Sequence, residues 1–254
     1  MSNPTPIPTV LVTGAAKRLG RDVALKLAAS GWRVAVHYRD SVQDAMNTVA
    51  TCASHTRDAA AFRSNLGNET AARNLVPTVV KHMGHLDAVV HCASTFEHDT
   101  AHSFSFAAME KHMRSNAGAA ILISQALHSH IAQRNKAGDA TASGAVVTLL
   151  DQRIWNQSPD FVSYTLSKAA LDAANTLLAM ALKPLVRVVG VAPQISFAQP
   201  LLKGETLEAV RNRNPEGTTL TSLDVPTAVL WALQHPTLTG TTLLVDEVAS
   251  AHGK

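Results

Sequence analysis

Aromatic side chains are scarce in this 254-residue sequence, 4% of the total, so its interior must be filled mainly by Ala, Val, Leu and Ile. Its two cysteines, Cys52 and Cys92, form no C-x-x-C pair, which leaves reduced thiols and no disulfide scaffold. No stretch of about 18 uncharged apolar residues occurs, so no membrane-spanning helix is expected. Residues 1–8 lack a positive n-region and an apolar h-region, read as a flexible start, and set the expectation of a soluble, cytoplasmic protein. Basic residues exceed acidic ones by only 22 − 19 = 3 and are dispersed, which draws no nucleic-acid-binding stripe. The 13 glycines and 11 prolines are too few and scattered for a collagenous chain, and 46% hydrophobic residues exclude a disordered one.

What is present is an alternation. Short β-branched runs at 9–13, 33–38, 59–62, 86–93, 145–150, 185–191 and 241–245 are separated by helical-period stretches near 18–30, 42–52, 69–83, 106–133, 163–182 and 225–234. That order predicts an α/β fold, a single doubly wound Rossmann domain over residues 1–254 with a seven-stranded parallel sheet and helices on both faces. Residues 194–222, with Pro200, Gly204, Pro215 and Gly217, break the alternation after the sixth strand, where a substrate loop is expected.

Thr13-Gly-Ala-Ala-Lys-Arg-Leu-Gly20 follows the first strand and opens a helix. Gly14 permits a tight turn, Gly20 permits close packing, and a helix N-terminus offers free N–H groups and a positive dipole end to a pyrophosphate. The middle position, often glycine in dinucleotide-binding turns, is Arg18 with Lys17 beside it, which favours a more anionic cofactor. The second strand ends in His37-Tyr-Arg-Asp-Ser41. Arg39 and Ser41 suit a 2′-phosphate, so NADPH is preferred over NADH, while Asp40 could cap the following helix.

Tyr164 and Lys168 stand at i and i+4, hence on one helical face, where a cation stabilises a phenolate and makes proton transfer near neutrality feasible. Taken together, Thr13–Gly20, Ser115-Asn-Ala117, Tyr164/Lys168, Val188-Val-Gly-Val-Ala-Pro193 and Thr239-Gly-Thr-Thr-Leu-Leu-Val-Asp246 resemble the short-chain dehydrogenase/reductase family over about residues 9–246. The resemblance implies Tyr164 as proton donor, Lys168 as ribose anchor and pKa modulator, and Asn116 as a helix-kink residue holding a relay water. It also implies NADP(H) contacts at Leu19, Asn65, Leu66, Ala93, Ser94, Pro193 and Ser196, and a homotetramer. The Ala169, Ala170, Ala173, Ala174, Leu177, Leu178, Ala181 face of the sixth helix could serve that assembly or pack within one chain.

Thirteen residues before the tyrosine, where the family usually has serine, the sequence has Asp151. An ionised carboxylate only accepts hydrogen bonds, disfavours a developing alkoxide, and suits a substrate rich in N–H donors reduced at C=N. With Gly14–Gly20, His37-Tyr38 and Ala93-Ser-Thr-Phe96, this set is similar to the pteridine reductases. That likeness implies that Arg18 touches pyrophosphate and pterin, and that Phe96 stacks the pterin against nicotinamide. Departures are His91-Cys92 for Asn-Asn, Asn65 for an acidic adenine contact, Gln194 for Gly, Glu247-Val248 for Gly-Gly, and the Asp151-Gln-Arg-Ile-Trp155 stretch. The expected function is reduction of a dihydropterin or dihydrofolate. The alternatives are a short-chain reductase of another carbonyl or imine, and a non-catalytic dinucleotide sensor or scaffold. Glu97-His98-Asp99 with His102 carries metal-ligand residue types, but no metal is expected, nor thiol chemistry at Cys92.

Overall fold

In the computed structural model, which describes residues 7–56, 58–193 and 224–245, the apolar runs become seven strands. They are β1 (Thr9–Thr13), β2 (Arg33–Tyr38), β3 (Ala59–Arg63), β4 (Ala88–His91), β5 (Gly144–Leu149), β6 (Val186–Pro193) and β7 (Thr241–Val245). All neighbours pair in parallel, in the order β3-β2-β1-β4-β5-β6-β7. The helices are α1 (Arg18–Ala29), α2 (Val42–Ala53), α3 (Glu69–Met83), α4 (Phe106–His112), α5 (Ala119–Lys136), α6 (Val162–Ala181) and α7 (Asp224–Gln234).

Side chains alternate across a strand, so one sheet feeds two cores. Val10, Val12, Val34, Val36, Val90, Val147 and Val189 face α1, α2 and α7, and bury Val23, Leu27, Ala45, Cys52 and Val229. Leu11, Ala35, Val89, Val146 and Val188 face α3, α5 and α6, and bury Leu75, Val79, Ile123, Leu127 and Leu178. Fully buried strands explain why the runs read as continuous Val/Ala/Leu without polar alternation. The strand order reverses between β1 and β4, where Thr13 lies beside His91, and the crevice beyond their carboxyl ends is where such sheets bind ligands.

One expected helix, 106–133, is two. A π turn over Met113–Gly118 separates α4 from α5. The Asn116 side chain is the cause: Oδ1 accepts the Thr95 N–H at 2.6 Å, and Nδ2 donates to the Thr95 carbonyl and to Ser167 Oγ, both at 2.9 Å. These tertiary bonds hold one extra residue in the helical turn. The substrate-loop region 194–222, with Gln194 and Ser196, lies outside the described residues, as do Glu247-Val248 and residues 1–6. Among the described residues no helix is long and apolar enough to cross a membrane.

Candidate active site

The turn after β1 is built from close backbone approaches. Gly14 has φ +65, and a Cβ there would stand 2.9 Å from the Ala93 Cα; a Cβ on Gly20 would stand 2.3 Å from the Gly14 carbonyl oxygen. Arg18 holds φ 54 without being glycine, the kind of strained backbone kept at ligand-binding turns. The N-cap of α1, Lys17, makes no side-chain capping bond and the first turn carries no acidic residue, so neither supplies an anion to the positive helix end.

Two buried histidines brace this turn. His37 Nδ1 accepts the Gly14 N–H at 3.0 Å, and its Nε2 lies 3.1 Å from the Ser64 carbonyl, which puts the ring proton on Nε2. Burial pushes the His37 pKa down to about 4. His91 Nδ1 lies 3.2 Å from Thr13 Oγ1, the oxygen that also accepts the Ala93 N–H, and its Nε2 makes no hydrogen bond among the described residues. Burial first, then the Lys168 charge, push the His91 pKa down to about 3. Burial also lifts the Cys92 thiol to about 12.

A cleft of about 380 Å³ opens beside the turn. Gly14, Lys17, His37, Tyr38, Arg39, Ser41, Asn65, Leu66, Ala93, Ser94 and Phe96 line it. It shares Arg39, Asn65, Gly67, Thr95 and Ser115 with a neighbouring cleft of about 470 Å³. Arg18 is exposed at the start of α1, Leu19 packs on the core, Gly20 is buried, and Pro193 is buried at the end of β6. Asp40 does not cap α2, contrary to expectation: the N-cap is Ser41, without a side-chain bond, and Asp40 instead accepts from Arg39 Nε at 2.6 Å.

The second half of the site lies after β5. Asp151 caps a one-turn 3-10 helix over Gln152–Ile154: Oδ1 accepts the Arg153 N–H at 2.8 Å, while Oδ2 accepts the Tyr164 hydroxyl at 2.7 Å. Both side chains are buried. Burial, the Asp151 charge and the hydrogen bond to it push the Tyr164 pKa well above 10, with Arg153 pulling the other way. This corrects the expectation that Lys168 brings the phenol towards neutrality. Lys168 Nζ lies 5.8 Å from the Tyr164 ring centroid and donates to the Leu149 carbonyl at 2.6 Å, and burial lowers its own pKa to about 8.

Three residues take roles in the site that the sequence did not assign to them. Phe161, the left-handed N-cap of α6, stacks on Phe96 with centroids 4.4 Å apart and planes 13° apart, so the expected pterin-stacking ring already has an aromatic on one face. Phe96 meets Tyr164 edge-on at 4.6 Å, which joins the cleft to the buried phenol. Asp99, thought of as a metal-ligand type, caps α6 from a distant loop: its carboxylate takes the Ser163 N–H at 3.1 Å and the Ser163 hydroxyl, and its carbonyl takes the Phe161 N–H. Arg153 is buried against both phenyl rings, with Cζ 4.8 Å from the Phe161 centroid and 5.7 Å from that of Phe96. The only advance signal for it was the unusual Asp151–Trp155 stretch. Trp155, at the end of that stretch, is half exposed. Of the expected α6 face, Ala174 and Leu178 are buried within the chain, whereas Ala173, Leu177 and Ala181 are exposed, as are Leu166 and Met180 elsewhere on the helix.

The short chain dehydrogenase family model matches residues 8–199. Granaticin polyketide synthase putative ketoacyl reductase 2 of Streptomyces violaceoruber is 31% identical over 252 residues, covering 94% of each chain. Pteridine reductase 1 of Leishmania tarentolae is 27% identical over 275 residues, covering 94% of this chain and 95% of its own. Among solved structures, FolM alternative dihydrofolate reductase 1 from Brucella suis, in complex with NADP, matches with a TM-score of 0.82 at 26% identity, covering 94% of this chain and 93% of the other.

Proposed function

Because the chain belongs to the short-chain dehydrogenase family and is an oxidoreductase of that kind, we propose that it uses NADPH to reduce a pterin, of the dihydropterin or dihydrofolate class. The observation that carries this reading is the 2.7 Å bond from the Tyr164 hydroxyl to Asp151. A carboxylate beside the proton donor repels an alkoxide and welcomes N–H groups, so the site favours C=N reduction in a nitrogen-rich ring. The similarity to a pteridine reductase and to an NADP-bound alternative dihydrofolate reductase supports the same class.

The residues present fit NADP(H). The close approaches at Gly14 and Gly20 and the uncapped α1 N-terminus form a pyrophosphate cradle. Arg39 and Ser41 line the cleft where a 2′-phosphate would sit, and the exposed Arg39–Asp40 pair is weak enough to be exchanged for it. Bound NADPH supplies a hydride. Tyr164 holds its proton at neutral pH and delivers it to the ring nitrogen next to the carbon reduced, which frees Asp151 Oδ2 to accept a substrate N–H. Lys168 keeps a buried positive charge beside the phenol, and Asn116 fixes the α4–α5 junction against Ser167 of the catalytic helix. The exposed Leu166, Leu177 and Met180 of α6 are proposed to bury against other copies in a homotetramer.

A ketoacyl reductase relative over 94% of the chain favours a second reading, reduction of another carbonyl. Purified protein with NADPH, assayed on dihydropterin, dihydrofolate and a 3-ketoacyl thioester, separates the two. Pterin turnover that falls at least about a hundredfold in Tyr164→Phe and in Asp151→Ser is expected. Ketoacyl turnover that survives Asp151→Ser, with no pterin turnover in the unaltered protein, would transfer the assignment to the second reading.

A further inference from the structure

A guanidinium removed from water needs a counterion or hydrogen-bond acceptors, because its charge is otherwise costly to bury. Arg153 is 5% exposed, and no carboxylate among the described residues pairs with it. Among the described residues its Nε is buried without a hydrogen-bond partner, and so is Nε2 of the adjacent Gln152. The Phe161 and Phe96 rings attract the cation from 4.8 and 5.7 Å, but a ring accepts no conventional hydrogen bond from Nε. Asp151 Oδ1 accepts the Arg153 main-chain N–H, which holds the two residues in one turn. Phe96, which the guanidinium covers, also meets the Tyr164 ring edge-on at 4.6 Å, so Arg153 belongs to the cluster around the proposed proton donor.

We infer that Arg153 is a specificity-determining residue whose guanidinium donates to an acceptor oxygen of the substrate, next to the N–H that Asp151 accepts. A donor and an acceptor held together read a ring edge that presents an oxo oxygen beside an N–H, as the 4-oxo amide edge of a pterin does. Replacing that oxygen by an amino group sets donor against donor. The inference rests on the pterin reading for the identity of the edge, but the recognition itself is a separate measurement.

The test uses two pteridines that differ only at C4, oxo against amino, with binding to the NADP-loaded protein followed by fluorescence quenching and turnover of their 7,8-dihydro forms followed by NADPH oxidation. The unaltered protein should prefer the oxo compound at least about tenfold. Arg153→Met should bring that preference within about threefold, and Arg153→Lys should fall between, because an ammonium donates without the planar fork. A merely structural role would weaken both compounds alike and leave their ratio unchanged. NADPH binding checks that each variant is folded; if Arg153→Met is not, the ratio in Arg153→Lys decides. Turnover with an oxo preference that the variants leave untouched overturns the Arg153 assignment alone. An Arg153-dependent binding preference with neither compound reduced sinks the reductase reading and leaves the recognition standing, whereas binding of neither compound overturns both.

Discussion

The histidines under the cofactor turn make the protein sensitive to mild acid in a way that can be worked out. His37 and His91 stay neutral in the fold down to about 4 and about 3, whereas in the unfolded chain each takes up a proton near the ordinary value of 6.5. Between those values the unfolded state binds more protons, so stability is present at neutral pH and is lost as pH falls. At pH 5 each ring costs about 2 kcal/mol relative to pH 7.5, or about 4 kcal/mol together. For a chain of this length that corresponds to a melting temperature lower by about 8 °C. His130, whose pKa is also lowered, chiefly by burial, adds in the same direction. Nearer pH 4 a protonated His37 Nδ1 can no longer accept the Gly14 N–H, so the turn loses its brace as well. Thermal melts from pH 7.5 to 5.0 on the unaltered protein and on His91→Asn give the check. Asparagine takes up no proton, so the variant should lose about half of the slope of melting temperature against pH. Parallel lines for the two proteins would refute the reasoning, since they would mean that His91 protonates in the fold as readily as outside it.

Gly20→Ala drives a Cβ into the Gly14 carbonyl oxygen, backbone against backbone, so α1 must back away from the turn. A cost of about 1–3 kcal/mol is expected in melting experiments, together with a loss of NADPH affinity of at least about tenfold by fluorescence titration. Asp99→Ala strands the Ser163 N–H and hydroxyl in a buried place. Melts should show a loss of about 2–3 kcal/mol, with kcat falling more than KM because Tyr164 is the next residue, and Asp99→Asn should lie between.

The sheet, its order of elements and the glycine turn were legible in the sequence because each is a local constraint written in adjacent residues. A buried parallel strand must be apolar on both faces, and at Gly14 and Gly20 the chain comes too close to other backbone to admit a side chain. What was not legible depends on residues far apart. The kink at Asn116 was foreseen only through the family resemblance, because the bonds that make it run to Thr95 and Ser167, and the cap of α6 comes from Asp99, 64 positions before Ser163. The Tyr164 pKa shows the same limit. Its i+4 neighbour Lys168 suggests a lowered value, but burial and the Asp151 carboxylate, 13 positions upstream, dominate and raise it.

The Thr95 and Asp99 contacts belong to one segment, the chain that leaves β4. Ala93 donates to Thr13 at the cofactor turn, Thr95 exchanges two hydrogen bonds with Asn116 at the π turn, and Phe96 rests against Tyr164 and Phe161. Asp99 holds the first turn of α6, and Thr100 bridges to Asp160 just before it. Residues 93–100 therefore connect the turn proposed to cradle the pyrophosphate to the helix that carries Tyr164, the proposed proton donor. The link is one of covalent chain and hydrogen bonds: a displacement of the segment is expected to change the Gly14–Ala93 approach and the Asp99–Ser163 cap together, and so to move the proposed cofactor cradle along with the helix that carries Tyr164.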